Sequence, residues 1–233
     1  MIENDHFEII NEIDLSGGER MEAFIRSDQY NYIQDQTRNL VQGHTTTNDA
    51  AVTQALKSLT LEKVLECFDH LTENQKSLLQ QVECIKDETE AIFFLSRIKQ
   101  HIIPFPKLDE KEIKDLFPKV KKLKIPDINH INWNELSYLS WNDHGSNRKY
   151  LIHFKQGEYY SLRGSFTPSA QKGICTICNE YEHVGMFTAT LKGGPSDNRV
   201  RRGNYICQDS QSCNQNLKSL KSLDSFIQLM KSQ

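Results

Sequence analysis

From Asp28 onward the chain repeats at steps of three and four: Tyr30, Ile33, Thr37, Leu40 and Val41 share one face, as on an amphipathic helix. Gly43 and the run His44 to Thr47 end that pattern. Asn48 is placed to cap a second helix carrying Val52, Leu56 and Leu59, and Leu61, Val64, Leu65 and Phe68 continue its stripe. Thr72 followed by Gln75 has the form of a capping box, with Leu78, Leu79, Val82 and Ile85 as the buried face behind it. Asp87 and Glu90 repeat that form before Ile92, Phe93, Leu95, Ile98 and Ile102, and Pro104 and Pro106 stop the helix. These short connections predict an antiparallel helical bundle over residues 1–106, with Cys67 and Cys84 as small apolar groups inside it. Residues 1–28 show no such period; Ser16-Gly17-Gly18 breaks any early helix, and the start of the chain is expected to be loose.

The period changes in the second half. Asp109 with Glu112 opens a short helix ending near Phe117, and residues 119–126 alternate lysine with apolar residues, as a half-buried strand would. That alternation reads either as a solvated strand face or as a contact with a negative surface. Residues 148–154 and 158–162, around the turn Gln156-Gly157, predict a β-hairpin or meander, after a polar loop at 142–147 and with Trp133 and Trp141 filling its core. Strands are expected again at 183–191 and 200–206, around a turn at Gly193, Gly194, Pro195 and Asp197. Leu217, Leu220, Leu223, Phe226, Ile227 and Met230 then predict one terminal amphipathic helix.

Charge sharpens this division. The 233 residues carry a net charge of -3, but residues 1–106 hold 9 Lys/Arg against 18 Asp/Glu, while residues 107–233 hold 19 against 13. A basic half joined to an acidic one suggests a negative partner for the second, although a solvated surface explains the split equally well. The first residues lack the basic-then-apolar form of a secretory signal, and no run approaches the roughly 20 apolar residues that span a bilayer. A cytoplasmic protein is expected, with no membrane partner.

Four of the six cysteines cluster late: Cys175 and Cys178 as C-x2-C, then, after 28 intervening residues, Cys207 and Cys213 as C-x5-C. In a cytosolic chain such a group points to metal rather than to disulfides. Zinc takes four tetrahedral ligands with sulfur at about 2.3 Å, and two close pairs complete the shell, leaving no position for water or substrate. One structural Zn²⁺ is therefore expected. A knuckle, a hairpin and a helix make a treble-clef arrangement over about residues 172–233. The helix start places the last thiolates at the favourable end of the dipole, and Lys172, Arg201, Arg202 and Lys218 are near enough in sequence to offset the centre's negative charge. Enzymatic alternatives fit poorly. A redox C-x-x-C needs no second pair. A zinc deaminase needs P-C-x-x-C, where this chain has Ile174, and His6-Phe7-Glu8 matches the companion H-x-E only at chance level.

The segments Ile174-Cys175-Thr176-Ile177-Cys178-Asn179, Tyr205-Ile206-Cys207-Gln208-Asp209-Ser210 and Cys213-Asn214 resemble those of the FusB-type fusidic acid resistance proteins, also called elongation factor G-binding proteins. Gln29-Tyr30-Asn31-Tyr32-Ile33, the segment from Val120 to Pro126 and Ser146-Asn147-Arg148-Lys149-Tyr150 agree, so the similarity runs from about residue 28 to the end. The resemblance implies an α+β protein: an N-terminal helical bundle (1–106), then a C-terminal α/β domain (107–233) built on a four-cysteine treble clef. It implies no enzymatic activity. The family binds elongation factor G and helps release it from the ribosome when fusidic acid has trapped it there. It implies partner contacts at Arg202, Tyr205 and Phe226, and more loosely at Tyr181, where an aromatic anchor beside a cation suits an interface hot spot. Each also has a plainer reading, as strand or helix core for Tyr205 and Phe226 and as exposed surface for Arg202 and Tyr181. A monomer that meets the ribosome only through the factor is expected; the alternative is a zinc-finger module that binds ribosomal RNA directly.

Overall fold

The computed structural model describes residues 21–192 and 199–231. The Ser16-Gly17-Gly18 break, the His6-Phe7-Glu8 match and the turn at Gly193, Gly194, Pro195 and Asp197 lie outside the described residues.

The first half is helical. α1 (Ser27–Thr46), α2 (Ala50–Leu65), α3 (Glu73–Gln80) and α4 (Glu88–Lys99) pack around Ile33, Leu40, Val64, Leu79, Val82, Phe94 and Ile98. Their starts are set by caps: Thr72 and Gln75 bond reciprocally, and Asp87 accepts from the Glu90 amide. The cap of α2 is Asp49, whose carboxylate takes the amides of Ala51 and Val52, and not Asn48 as the sequence suggested. Gly43 lies inside α1 because the helices touch there: a Cβ would stand 2.7 Å from Leu56 Cδ1.

Three expectations for this core fail. On α4, Ala91 and Phe94 turn inward, while Ile92 and Phe93 are 58% and 64% exposed. The Ile92-Phe93-Phe94 run offers two possible stripes, and the helix buries the one in phase with Ile98. On α2, Val52 and Leu59 stand largely in solvent. Cys84 is exposed at the end of a 3-10 turn, while Cys67 is half-buried with its thiol on the Lys63 carbonyl.

α5 (Glu110–Asp115) follows, opened by the Asp109/Glu112 capping box. Residues 119–126 then form turns and extended coil rather than a strand. Their alternation is nevertheless real: Val120, Leu123 and Ile125 pack inward and the lysines point out. What is missing is a neighbouring strand to complete the ladder.

The second half is an antiparallel meander in the order β1 (Leu139–Asp143), β2 (Arg148–Lys155), β3 (Glu158–Ile174), β4 (Tyr181–Lys192), β5 (Arg199–Cys207). The β2–β3 turn has Gln156 and Gly157 at φ 52° and 82°, the left-handed pair that matches the twist of a two-residue hairpin. β1 occupies part of the stretch read as a loop, and β3 runs 12 residues beyond Leu162, with a bulge between Pro168 and Lys172. The predicted terminal helix is two helices, α6 (Ser210–Asn216) and α7 (Leu220–Lys231), separated at Leu217, which sits in extended backbone.

Two layers flank the sheet. α6 and α7 cover one face, burying Leu151, Leu162, Phe166, Phe187 and Ile206. The segment from Phe105 to Leu136 covers the other at the β1–β3 end, where Trp141 stacks on Tyr150 and Phe117 meets both edge-on. Trp133 stacks against Phe105 at the margin of this second core.

Candidate metal centre

The four sulfurs arrive from three local structures. Cys175 and Cys178 sit on a tight knuckle after β3, closed by the Asn179 amide on the Cys175 carbonyl (2.8 Å) and by the Cys175 amide on the Glu180 carbonyl (3.0 Å). The knuckle needs a left-handed residue at its end, and Asn179 supplies it at φ 62°. Cys207 ends β5, and Cys213 lies in the first turn and a half of α6. Asp209 caps that helix by accepting the amides of Gln211 and Ser212.

The four Sγ atoms lie within 4.8 Å of one another, and all four residues are buried. Two sulfur pairs, Cys175–Cys213 and Cys178–Cys207, are each 3.7 Å apart. A tetrahedron with metal–sulfur bonds of about 2.3 Å has edges of about 3.8 Å, so the spacing fits zinc. It does not fit disulfides, and all six cysteines are free. Among the described residues this is the one group of His, Cys, Asp and Glu with ligand spacing.

The electrostatics agree. Cys175 Sγ accepts the backbone amides of Ile177 and Cys207, both at 3.4 Å. Hydrogen bonds from the neighbouring thiols hold its pKa well below the ordinary value. Those of Cys207 and Cys213 are pushed far up, first because their thiols are engaged with Cys175. Four thiolates this close repel one another strongly, and a divalent cation at their centre removes the conflict. The cysteines thus hold one structural zinc ion in a closed shell.

The groups around the centre were not legible from spacing. Lys149, on β2, is 1% exposed; its ammonium donates to Asn142 Oδ1 (3.1 Å), the Gln208 carbonyl (3.0 Å) and Ser210 Oγ (2.9 Å), and lies 5.0 Å from the Phe166 ring centre. Burial pushes its pKa down to about 8, against the pull of the Cys213, Cys207 and Asp209 charges. It is therefore the buried cation beside the finger. The expected offsetting residues lie elsewhere: Lys218 pairs with Asp35 and Glu180, and Arg202 reaches the Leu229 carbonyl. Tyr138 is buried against Cys213, with burial and the neighbouring sulfurs raising its pKa well above the usual value. Asn214, next to the last ligand, satisfies all four of its side-chain bonds: it accepts from the Ser137 and Tyr138 amides and donates to the Tyr138 and Ser210 carbonyls. The Asp209-Ser210 cap was the one readable signal among these.

Comparison with known proteins bears on the same residues. Residues 24–106 match the family described as "Elongation factor G-binding protein, N-terminal", and residues 118–231 match "FBP C-terminal treble-clef zinc-finger". No curated protein sequence matches the chain. A solved structure, "Structure of the fusidic acid resistance protein FusC", superposes with a TM-score of 0.77 at 30% identity, covering 92% of this chain and 100% of that one. The chain belongs to the FusB-type family of fusidic acid resistance proteins. Its treble clef is the knuckle at 175–178, the β4–β5 hairpin and α6 described above.

Within this FusB-type frame, the residues expected at a partner surface fall in different places. Tyr181 and Tyr205 are 62% and 46% exposed, at the start of β4 and near the end of β5. Arg202 and Tyr205, three apart on β5, point to opposite faces of the sheet. Phe226 is a correction: its ring is 1% exposed and packs on Phe187, with centroids 5.7 Å apart. An aromatic at that point of the helix faces the sheet because it is in phase with Leu223, Ile227 and Met230.

No helix among the described residues is long and apolar enough to cross a membrane.

Proposed function

We propose that this chain is a non-enzymatic, cytoplasmic protein that binds elongation factor G through its zinc finger and promotes release of the factor from the ribosome. The observation that carries the reading is the exposure of Tyr181 and Tyr205 on a finger whose metal shell is closed by four buried sulfurs. A closed shell suits holding a surface in shape, and half-exposed rings on that surface suit an interface anchor. Arg202, on the other face of β5, adds a cation at the rim, while Phe226 supports the finger from within. The two regions, 1–106 and 107–233, act as bundle and reader, and the protein works as a monomer.

Release follows from differential affinity. If the chain binds the factor more tightly in a conformation that leaves the ribosome, it shifts the population toward that state by no more than this difference. Sedimentation of ribosomes stalled with elongation factor G and fusidic acid tests the proposal. Adding the zinc-loaded chain should move the factor from the pellet to the supernatant. A factor that stays in the pellet at saturating chain concentrations would refute the release step.

A further inference from the structure

The lysine segment at 119–125 is a built surface. Its apolar members Val120, Leu123 and Ile125 are clamped against the Trp141–Tyr150 core, and the Trp141 indole donates to the Lys124 carbonyl at 2.8 Å. Ser161 Oγ fixes the preceding turn through the Leu116 carbonyl at 2.9 Å. Lys119, Lys121 and Lys122 are exposed, and among the described residues none has a carboxylate within ion-pair distance. Lys124 is 3.7 Å from Asp143 and remains 74% exposed.

The sheet extends this surface. Directly paired residues project to the same face. Arg148 pairs with Asp143, and Arg163 pairs with Tyr150, so both arginines share the face on which the lysine segment lies. Both are exposed and without an ion pair among the described residues. The nearby carboxylate, Asp143, is 8% exposed and engaged by Ser146 and the Gly145 amide.

We propose that Lys119, Lys121, Lys122 and Lys124, with Arg148 and Arg163, form a second docking surface that takes the phosphate backbone of duplex RNA. Exposed ammonium point charges suit phosphates, and the fixed backbone leaves only the lysine side chains to be ordered on binding. The chemistry disfavours a bilayer, because the apolar residues of the segment face inward and leave nothing to insert. It also disfavours single strands, whose bases need exposed rings: Phe117, Trp141 and Tyr150 are all buried. The surface is independent of the finger's tyrosines; only the choice of RNA over DNA rests on the translational reading above.

The test uses the zinc-loaded full chain and a short labelled RNA duplex, read by fluorescence anisotropy, with a DNA duplex of the same sequence and phosphatidylserine vesicles as parallel arms. For four phosphate contacts, binding should weaken on the order of a hundredfold between about 50 and 200 mM salt. The exposed double variant Lys121→Glu/Lys122→Glu should lose at least tenfold in RNA affinity while its zinc content and its binding to elongation factor G stay unchanged. Tyr205→Ala should leave RNA binding intact. The proposal is overturned if the RNA is not bound at low salt, if charge reversal leaves its affinity unchanged, if DNA or vesicles are preferred, or if the double variant also loses elongation factor G.

Discussion

Asn31, in the second turn of α1, donates its side-chain amide to two carbonyls of the finger: that of Asn214 at 2.7 Å and that of Leu217 at 2.9 Å. Both lie at the C-terminal end of α6, where a helix leaves carbonyls short of internal partners; the Asn214 carbonyl also takes the Leu217 amide at 3.2 Å, and the Leu217 carbonyl lies just past the helix. One residue of the bundle thus closes the helix that carries Cys213, and Lys218 adds an ion pair to Asp35 on α1 at 2.9 Å. The bundle and the metal module are joined by specific polar contacts as well as by the chain.

Asn31→Ala should therefore lower stability by about 1–3 kcal/mol, because it removes a donor from the partly buried Leu217 carbonyl and leaves that of Asn214 with the Leu217 amide alone. Urea denaturation compared with wild type checks this. Lys218→Ala removes a pair that is about one-third exposed on the lysine side, and its effect should be smaller.

Removing zinc should unfold the finger and leave the bundle. The bundle core draws on residues 24–98 and contains no metal ligand, whereas the finger core includes all four cysteines. Far-ultraviolet circular dichroism during chelation should show retained helix, with tryptic cleavage appearing between residues 170 and 217. Cys213→Ser should give the same pattern without chelator, and elemental analysis should find one zinc per wild-type chain.

Phe226→Ala should act on stability, not selectively on partner binding. Emptying a buried aromatic site against Phe187 costs about 3–5 kcal/mol. Thermal unfolding checks this, and a variant of wild-type stability with lost partner affinity would contradict the assignment.

Stability should fall as pH drops below the ordinary histidine value of 6.5. Burial lowers the pKa of His153, more than the neighbouring Asp224 raises it. The unfolded chain then takes up a proton before the native state does, so this stability is present above the unfolded pKa and is lost as pH falls through the folded one. Protons also compete more strongly with zinc for the thiolates as pH falls, so the comparison is between wild type and His153→Gln. The variant should show a smaller difference between the urea midpoints at pH 7.5 and 5.5.

Much of this was legible in the residues. Caps at Thr72, Asp87 and Asp109 set helix starts through contacts within four residues, and the four cysteines declared their ligand spacing. The failures share a cause: the deciding partner is distant in sequence. Phe93 and Phe94 are equivalent locally, and only the packing of α4 against α1 chooses between them. Lys149 reads as an ordinary strand lysine until the fold brings it to the Gln208 carbonyl and Ser210, 59 and 61 residues away. Residues 119–126 have a strand's alternation but no strand beside them.

The finger as a protein-binding surface is tested most directly by gel filtration of purified elongation factor G with the zinc-loaded chain at micromolar concentration, run in parallel with Tyr205→Ala and Arg202→Ala. The account predicts a one-to-one complex with wild type, and weaker complexes with both variants although each still holds one zinc. Separate elution of wild type and factor, with zinc bound and the chain folded, would contradict it.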